Sequence, residues 1–495
     1  MSRYNGLENV AVISLRRLRD IHLLFWREHP ALLCALTLLI GTSSLLFLGH
    51  LLWPLLWCAY LIYCRLFPQI FLLLGTIFYG WCHLPPSQLP TGEITALFSP
   101  ASLQPNHSPF QKGLVYKGSL TFDRETVPCS VFYRGLPATR PRADQNYCLS
   151  GKIEHKGDFF FKAKQWIPVA KSWSLAELRY QTKERFKKVL SEHLPSSRVA
   201  TFLSSLTTGD VEDRLLRYEF SRLGIQHILA ISGFHFGILI AFCTFALGLF
   251  LPRIWKIGAL FLAVNAYFLF VGSSPSVQRS WLTALFYLFG QFLGRPANGL
   301  NLLGCALGTE LICNPLAAGN LGFQLSFLSC AGILLFYPTF DRFLQTFFPK
   351  RSGQESQPLT PLAKHGALLA SFFRQSISLT LAVNLLLLPL LLHHFHQFPL
   401  LGLLYNLFFP FMIGVTLFLL LIALLFLPLY SPIATLFFFF TDHLTAQLLE
   451  LTSNPPFALD YLIQTQEFPA WAIPPFLFIL LNLYLLITKP TESTI

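Results

Sequence analysis

Residues 400–428 read LLGLLYNLFFPFMIGVTLFLLLIALLFLP, a run from Leu400 to Pro428 without one charged side chain. About 20 apolar residues carry a helix across the hydrocarbon core of a bilayer, so this stretch decides the class of the fold. Working outward, similar apolar runs lie at 227–251, 254–272, 276–293, 300–317, 320–337, 376–393, 432–450 and 470–488, and earlier at 31–48, 51–64 and 69–84. These readings predict about twelve spans. Composition agrees: 53% of the 495 residues are hydrophobic and 12% are charged, against roughly 25% charged in soluble domains. A disordered chain, a coiled coil and an ordinary soluble enzyme are excluded. The basic start, with Arg16, Arg17, Arg19 and Arg27, leads into a helical hairpin and shows no small-residue cleavage site, so it does not read as a signal peptide.

Charge orients the spans. With the N-terminus in the cytoplasm, Arg65, Arg253, Lys256, Arg295, the loop holding Arg342, Lys350, Arg351, Lys364 and Arg374, and Lys489 all fall inside. The loops at 312–319, 394–399 and 451–469 fall outside and carry no Lys or Arg. That asymmetry is the positive-inside pattern and predicts both termini in the cytoplasm.

The same count places 85–226 outside. The predicted organisation is a basic N-terminus at 1–30, helices at 31–84, an external β domain at 85–172, external amphipathic helices at 173–226, and a channel-type helical domain at 227–495. Strands are expected at Lys112 to Phe122, Thr126 to Tyr133, Tyr147 to His155 and Asp158 to Ile167. Five or so short strands suit a small barrel, OB-like or SH3-like. A helix from Leu175 to Leu194 should share Leu175, Leu178, Phe186, Val189 and Leu190 on one face, and a polar-faced helix should follow near 198–223. The fold class is thus a mainly α polytopic membrane protein with an inserted β-barrel. Between 85 and 190 there are 16 Lys and Arg against 8 Asp and Glu, so most of the chain's +12 net charge sits where topology does not require it. Cys129 and Cys148 lie in the barrel and are candidates for a disulfide in an oxidising space.

Polar groups inside apolar runs are costly and face a cavity or a partner helix. The densest set is His227-Ile-Leu-Ala-Ile-Ser-Gly-Phe-His-Phe-Gly237, where Ser232 and His235 share a helix face and Gly233 and Gly237 form a small-xxx-small pair. Pro275-Ser-Val-Gln-Arg279 puts an arginine in the first turn of a span; it either snorkels outward or lines a polar path. Gln324 and Ser326 lie in another span, where interhelical hydrogen bonding is the plainer reading, and Gly209-Asp210 reads as a turn or helix start. His393, His394 and His396 have no matching carboxylate for a metal site, and nothing resembles a Walker A loop or another cofactor motif.

These motifs together resemble the ComEC family of DNA-uptake channels. The resemblance lies in His227 to His235, Pro275 to Arg279, Asn314-Pro315 and Gly322-Phe-Gln-Leu-Ser-Phe327, in the family's order, with Gly209-Asp210 similar to its Gly-Asp element. Phe234 and Phe236 depart from the aliphatic residues usual there. The resemblance implies import of single-stranded DNA, no enzymatic activity and no cofactor, with a translocation path through Gly209, Asp210, His227, Ser232, Gly233, His235, Gly237, Pro275, Arg279, Gln324 and Ser326. It also implies a DNA receptor outside and a helicase, ATPase or single-strand-binding protein inside. The metallo-β-lactamase-like domain of many members, with its His-x-His-x-Asp-His signature, is not in this sequence, so a separate nuclease is expected if a strand is degraded.

A polyanion needs a basic surface and stacking platforms. Candidates in the barrel are Lys112, Lys117, Arg124, Tyr133, Arg134, Arg142, Lys152, Lys156, Lys162, Lys164 and Trp166. Tyr116, Phe122, Tyr147 and Phe160 are interleaved with them, and strand alternation buries about half of such aromatics. Two other classes share some features: a secondary transporter for an anionic or lipid-linked substrate, from polar midplane residues, and an intramembrane serine protease, from Ser232 near His235.

Overall fold

The structure, a computed structural model, describes residues 16–46, 52–84, 92–105, 113–122, 125–135, 139–156, 158–171, 173–248, 250–349, 361–455, 462–464, 466 and 468–488. It is mostly helical and divides into two compact units. One comprises Met1–Leu84, Gln278–Phe408 and Tyr461–Ile495, the other Pro85–Val277 and Phe409–Asp460.

In the first unit, α1 (Arg16–Glu28) meets α2 (Pro30–Leu46) at a 100° bend. α3 (Leu52–Tyr63) and α4 (Phe67–Cys82) follow, then α11 (Gly299–Cys313), α12 (Leu321–Leu344), α13 (Pro361–Phe395) and α16 (Ile473–Ile487). Close approach fixes two of these pairings. A Cβ on Gly304 of α11 would lie 2.4 Å from the Leu32 nitrogen of α2, and one on Gly332 of α12 would lie 2.5 Å from the Ala382 carbonyl of α13. Small residues at such crossings are how apolar helices gain van der Waals contact when the solvent is itself apolar. The core joins Phe25, Trp26, Leu61, Leu300, Phe336 and Leu386.

The second unit opens with β1 (Ile94–Pro105), β2 (Leu114–Phe122), β3 (Glu125–Tyr133), β4 (Gln145–Lys156) and β5 (Asp158–Lys171), a closed barrel in the order β1-β2-β3-β5-β4. The β3–β5 pairing is parallel and the others are antiparallel. A five-stranded closed barrel of this kind is compatible with the OB-like expectation. Alternation sends Phe98, Tyr116, Leu120, Val131, Leu149 and Phe161 inward. β1 has no counterpart among the predicted strands because Pro100 and Pro105 break its pattern.

α5 (Leu175–His193) agrees with expectation in extent and only partly in face. Of the expected face, Leu190 is buried and Leu175, Phe186 and Val189 are half-buried, but Leu178 is exposed, and Ala176, Glu177 and Lys183 are buried as well. The single helix predicted near 198–223 is two, α6 (Ser197–Thr208) and α7 (Arg214–Arg222), broken at Gly209-Asp210. α8 (Gly233–Gly248), α9 (Arg253–Val271) and α15 (Ser431–Ser453) also belong here, while α10 (Pro275–Phe292) and α14 (Leu400–Phe426) run through both sequence divisions.

Among the described residues, α9, α12, α13, α14, and α16 with the turn before it, are long and apolar enough to cross a membrane; the bent α1–α2 pair is a sixth at most. The expected count of about twelve is therefore not reached by length and composition. Helix rise explains part of the shortfall. The 12 residues of α3 cover only about 18 Å at 1.5 Å each, against a hydrocarbon core of about 30 Å. α4, α8 and α11 are also shorter apolar helices. The span expected to start at His227 begins instead at Gly233, because Gln226–Ile228 forms a 3-10 turn and Ser232 caps the helix.

Candidate functional site

The barrel's outer face carries a row of exposed lysines. Register sets Lys117 of β2 opposite Ser130 of β3, Ser130 opposite Phe160 of β5, and Phe160 opposite Glu154 of β4. One step along, Lys152 faces Lys162 across β4 and β5. Lys117, Lys152, Phe160, Lys162 and Lys164 are all exposed. Like charges placed directly opposite each other on strands are unfavourable without a counter-ion. Glu154 bridges Lys162 at 2.5 Å and Glu93 bridges Lys164, both at solvent-exposed sites, where such pairs are weak and readily exchanged.

The expected aromatic platforms lie elsewhere. Trp166 packs against the barrel core, its ring 5.1 Å from Tyr116, 5.3 Å from Tyr147 and 6.1 Å from Tyr133. Tyr133 donates its hydroxyl to the Thr139 carbonyl at 3.0 Å. Both rings are thus used internally. Phe160, 41% exposed beside the lysines, offers a free aromatic face instead. Arg134 is exposed and lies 5.9 Å over Phe132, and Arg142 pairs with Asp144 at 2.9 Å. Lys156 ends β4 opposite Asp158. Lys112 and Arg124 lie outside the described residues. Cys129 and Cys148 are free thiols. Cys129 points into the core, while Cys148 sits between inward-facing Tyr147 and Leu149, and β5 separates their strands.

Arg140 is structural. Its guanidinium forks onto Glu177 at 2.6 and 2.8 Å and stacks 4.2 Å over Tyr180, fastening the barrel to α5. Burial would raise the Glu177 carboxyl. Arg140, the Ala143 N–H and the Gln181 amide outweigh it and hold the group at about 2.

Gly209-Asp210 is a clamp. Gly209 ends α6 at φ +77°, and a Cβ there would lie 3.2 Å from Ile231. Asp210 accepts from Lys183 of α5 at 3.0 Å, both nearly fully buried, and Lys187 reaches Asp210 and Glu212. Burial pushes the Lys183 ammonium down, with Asp210 opposing. The burial of Lys183 follows from this long-range partner.

Beyond Ile231, His227 is exposed. The Ser232 hydroxyl accepts from the Phe234 N–H at 3.4 Å, and the Ser232 N–H donates to His235 Nδ1 at 3.3 Å. A neutral His235 then carries its proton on Nε2, a buried atom without a hydrogen-bond partner. His235 is thus bonded to the Ser232 backbone rather than to its hydroxyl, unlike a nucleophile–base pair. A Cβ on Gly237 would meet open space, so the expected close helix contact is absent there. Phe234 packs against Gly414 of α14.

Within the remaining apolar helices, Pro275 starts α10 and Arg279 is buried rather than snorkelled. Its guanidinium contacts Cys330 Sγ of α12 and Ser280 Oγ, leaving Nε without a partner. Ser326 Oγ on α12 is also buried and unpartnered. Gln324 donates to the Ala318 carbonyl at 2.8 Å, the ordinary packing role. Glu310 of α11, buried with Oε2 unpartnered, lies within electrostatic reach of Arg279. Sequence reading missed it, although it is the sole charge in 300–317, and an ionisable residue in an apolar run is itself a signal.

A helical membrane protein with an inserted closed barrel and with buried polar groups in its apolar helices is the class that fold and site define. The chain belongs to the competence protein family, whose model matches residues 207–490. It is 30% identical over 259 residues, 51% of its length, to ComE operon protein 3 of Bacillus subtilis (strain 168). That match spans 30% of the relative. No solved structure matches the chain.

Proposed function

We propose that the protein is a channel that carries single-stranded DNA across the cytoplasmic membrane during natural transformation. The observation that carries this reading is the barrel's outer row, where Lys152 and Lys162 oppose each other beside exposed Phe160, with Lys117 and Lys164 nearby. A phosphate backbone would exchange for Glu154 and Glu93 as the anionic partner of these lysines, and a base supplies the flat partner for Phe160. Membership of the competence family supports the same reading. The barrel lies outside and both termini inside, and the chain crosses the membrane about twelve times, with the shorter helices completed by turns buried in protein. Candidates for lining a passage are the polar groups of the membrane helices, His235 in one unit and Arg279, Gln324, Ser326 and Glu310 in the other. Backbone tracking predicts little base preference.

The test is binding of a fluorescent oligodeoxynucleotide to the full-length protein in nanodiscs across a salt series. The expected result is affinity that falls steeply with salt, by a log–log slope of about −0.7 per phosphate contacted. Salt-independent or undetectable binding at low salt contradicts the reading and favours a transporter of small anionic substrates.

A further inference from the structure

We propose that the α1–α3–α16 junction of the first unit is a binding site for an anionic phospholipid. α1 turns 100° from the apolar α2. It buries His22, Phe25 and Trp26 on one side and exposes Arg16, Arg17, Leu24 and Arg27 on the other, with Asp20 and Glu28 among them. Phe25 and Trp26 pack into the protein core, so what α1 offers a bilayer surface is its exposed arginines.

Beside it is a cavity of about 330 Å³. Leu18, Ala59, Tyr63 and Phe478 form its apolar walls. Its floor is a closed hydrogen-bond chain. Trp26 Nε1 donates to the Tyr60 hydroxyl at 2.6 Å, which bonds His22 Nδ1 at 2.8 Å, and His22 Nε2 bonds Asn482 Oδ1 at 3.0 Å. These polar atoms satisfy one another, so the floor makes no further demand on an occupant. Tyr63 and Phe478 are substantially exposed, so the cavity opens on the surface.

The rim differs. Arg19 lies within electrostatic reach of Tyr63. Its part-exposed guanidinium makes only a long bond to the exposed Asp20, at 3.4 Å, which leaves it open to a stronger anion. Arg16 and Arg17 lie in the preceding turn, with Asp20 beside them and Glu28 at the far end of α1.

An occupant must therefore bring an apolar chain for the walls and an anionic oxygen for Arg19. A phospholipid with a phosphodiester headgroup and net negative charge has both. A soluble anion leaves the walls uncovered, and the ammonium of a zwitterionic lipid is repelled by the three arginines. Basic pockets between membrane helices recognise anionic headgroups on these terms.

The test uses the full-length protein in nanodiscs with a photoactivatable phosphatidylglycerol, followed by mapping of the labelled peptides. Labelling is expected in α1, α3 or α16, competed by phosphatidylglycerol and not by phosphatidylcholine. Arg19→Gln should lower it about five-fold, the equivalent of about 1 kcal/mol for one arginine near a headgroup. Ala59→Phe, which fills the cavity from an exposed helix position, should lower it as well. Equal competition by phosphatidylcholine overturns the proposal on the wild-type protein alone, as does labelling that neither substitution changes. The readout involves no DNA, so its outcome is independent of the channel reading.

Discussion

Lys183 and Asp210 show how far a residue's role depends on its partner. Their side chains are 4% and 6% exposed and bonded at 3.0 Å. Removing one member of a buried pair strands the other charge and costs about 3–5 kcal/mol. Lys183→Met should thus lower the thermal unfolding temperature of the purified protein sharply, and Lys183→Met with Asp210→Leu should recover much of the loss. Gly209→Ala acts on the same clamp from the backbone. A left-handed conformation costs an L-residue about 1–2 kcal/mol, and the added Cβ presses on Ile231; a matching loss of stability is expected. Glu177 adds a pH dependence. Held at about 2, below its ordinary 4.5, its ionised form contributes stability that is complete above about pH 4.5 and lost as pH falls toward 2, on the order of 3 kcal/mol in all. Glu177→Gln should flatten that acid limb of the unfolding profile. The motif Gly209-Asp210 was visible in the sequence as a turn, but its hold on α5 was not, because Lys183 lies 27 positions away.

At the scale of elements, four of the five barrel strands were legible from alternation and turns, and β1 was hidden by its prolines. Which aromatics face outward was not legible. Alternation halves the candidates, but the inward half depends on register, and β4–β5 register shifts near Tyr147 and Gly151. Trp166, expected as a stacking platform, turns inward for that reason, while Phe160 is exposed. The two make opposite predictions. Trp166→Ala removes a ring packed on four aromatics and should destabilise the barrel by about 3–5 kcal/mol. Phe160→Ala should leave unfolding nearly unchanged and weaken binding of single-stranded DNA by roughly 1–3 kcal/mol. Replacing Lys152 and Lys162 by Gln should make the salt slope of that binding shallower, by about 0.7 for each phosphate left unneutralised.

For the whole molecule, the apolar runs established a helical membrane protein, and residues 207–490 carry the family's pattern. Hydropathy misplaced several helix ends because it cannot see caps: Ser232 starts α8 late, and Asn298 and Asn314 bracket α11 at 15 residues. It also passed over Glu310, whose place near Arg279 emerges only when α10 and α11 are folded. Arg279→Ala leaves Glu310 buried without its nearby cation; DNA transport is expected to fall at least ten-fold with protein level retained. The central claim is transport itself. The most direct measurement disrupts the gene and follows labelled DNA separately at the cell surface and in the cytoplasm. Retained surface binding with loss of cytoplasmic DNA is the predicted result; undiminished arrival of DNA in the cytoplasm would contradict the account.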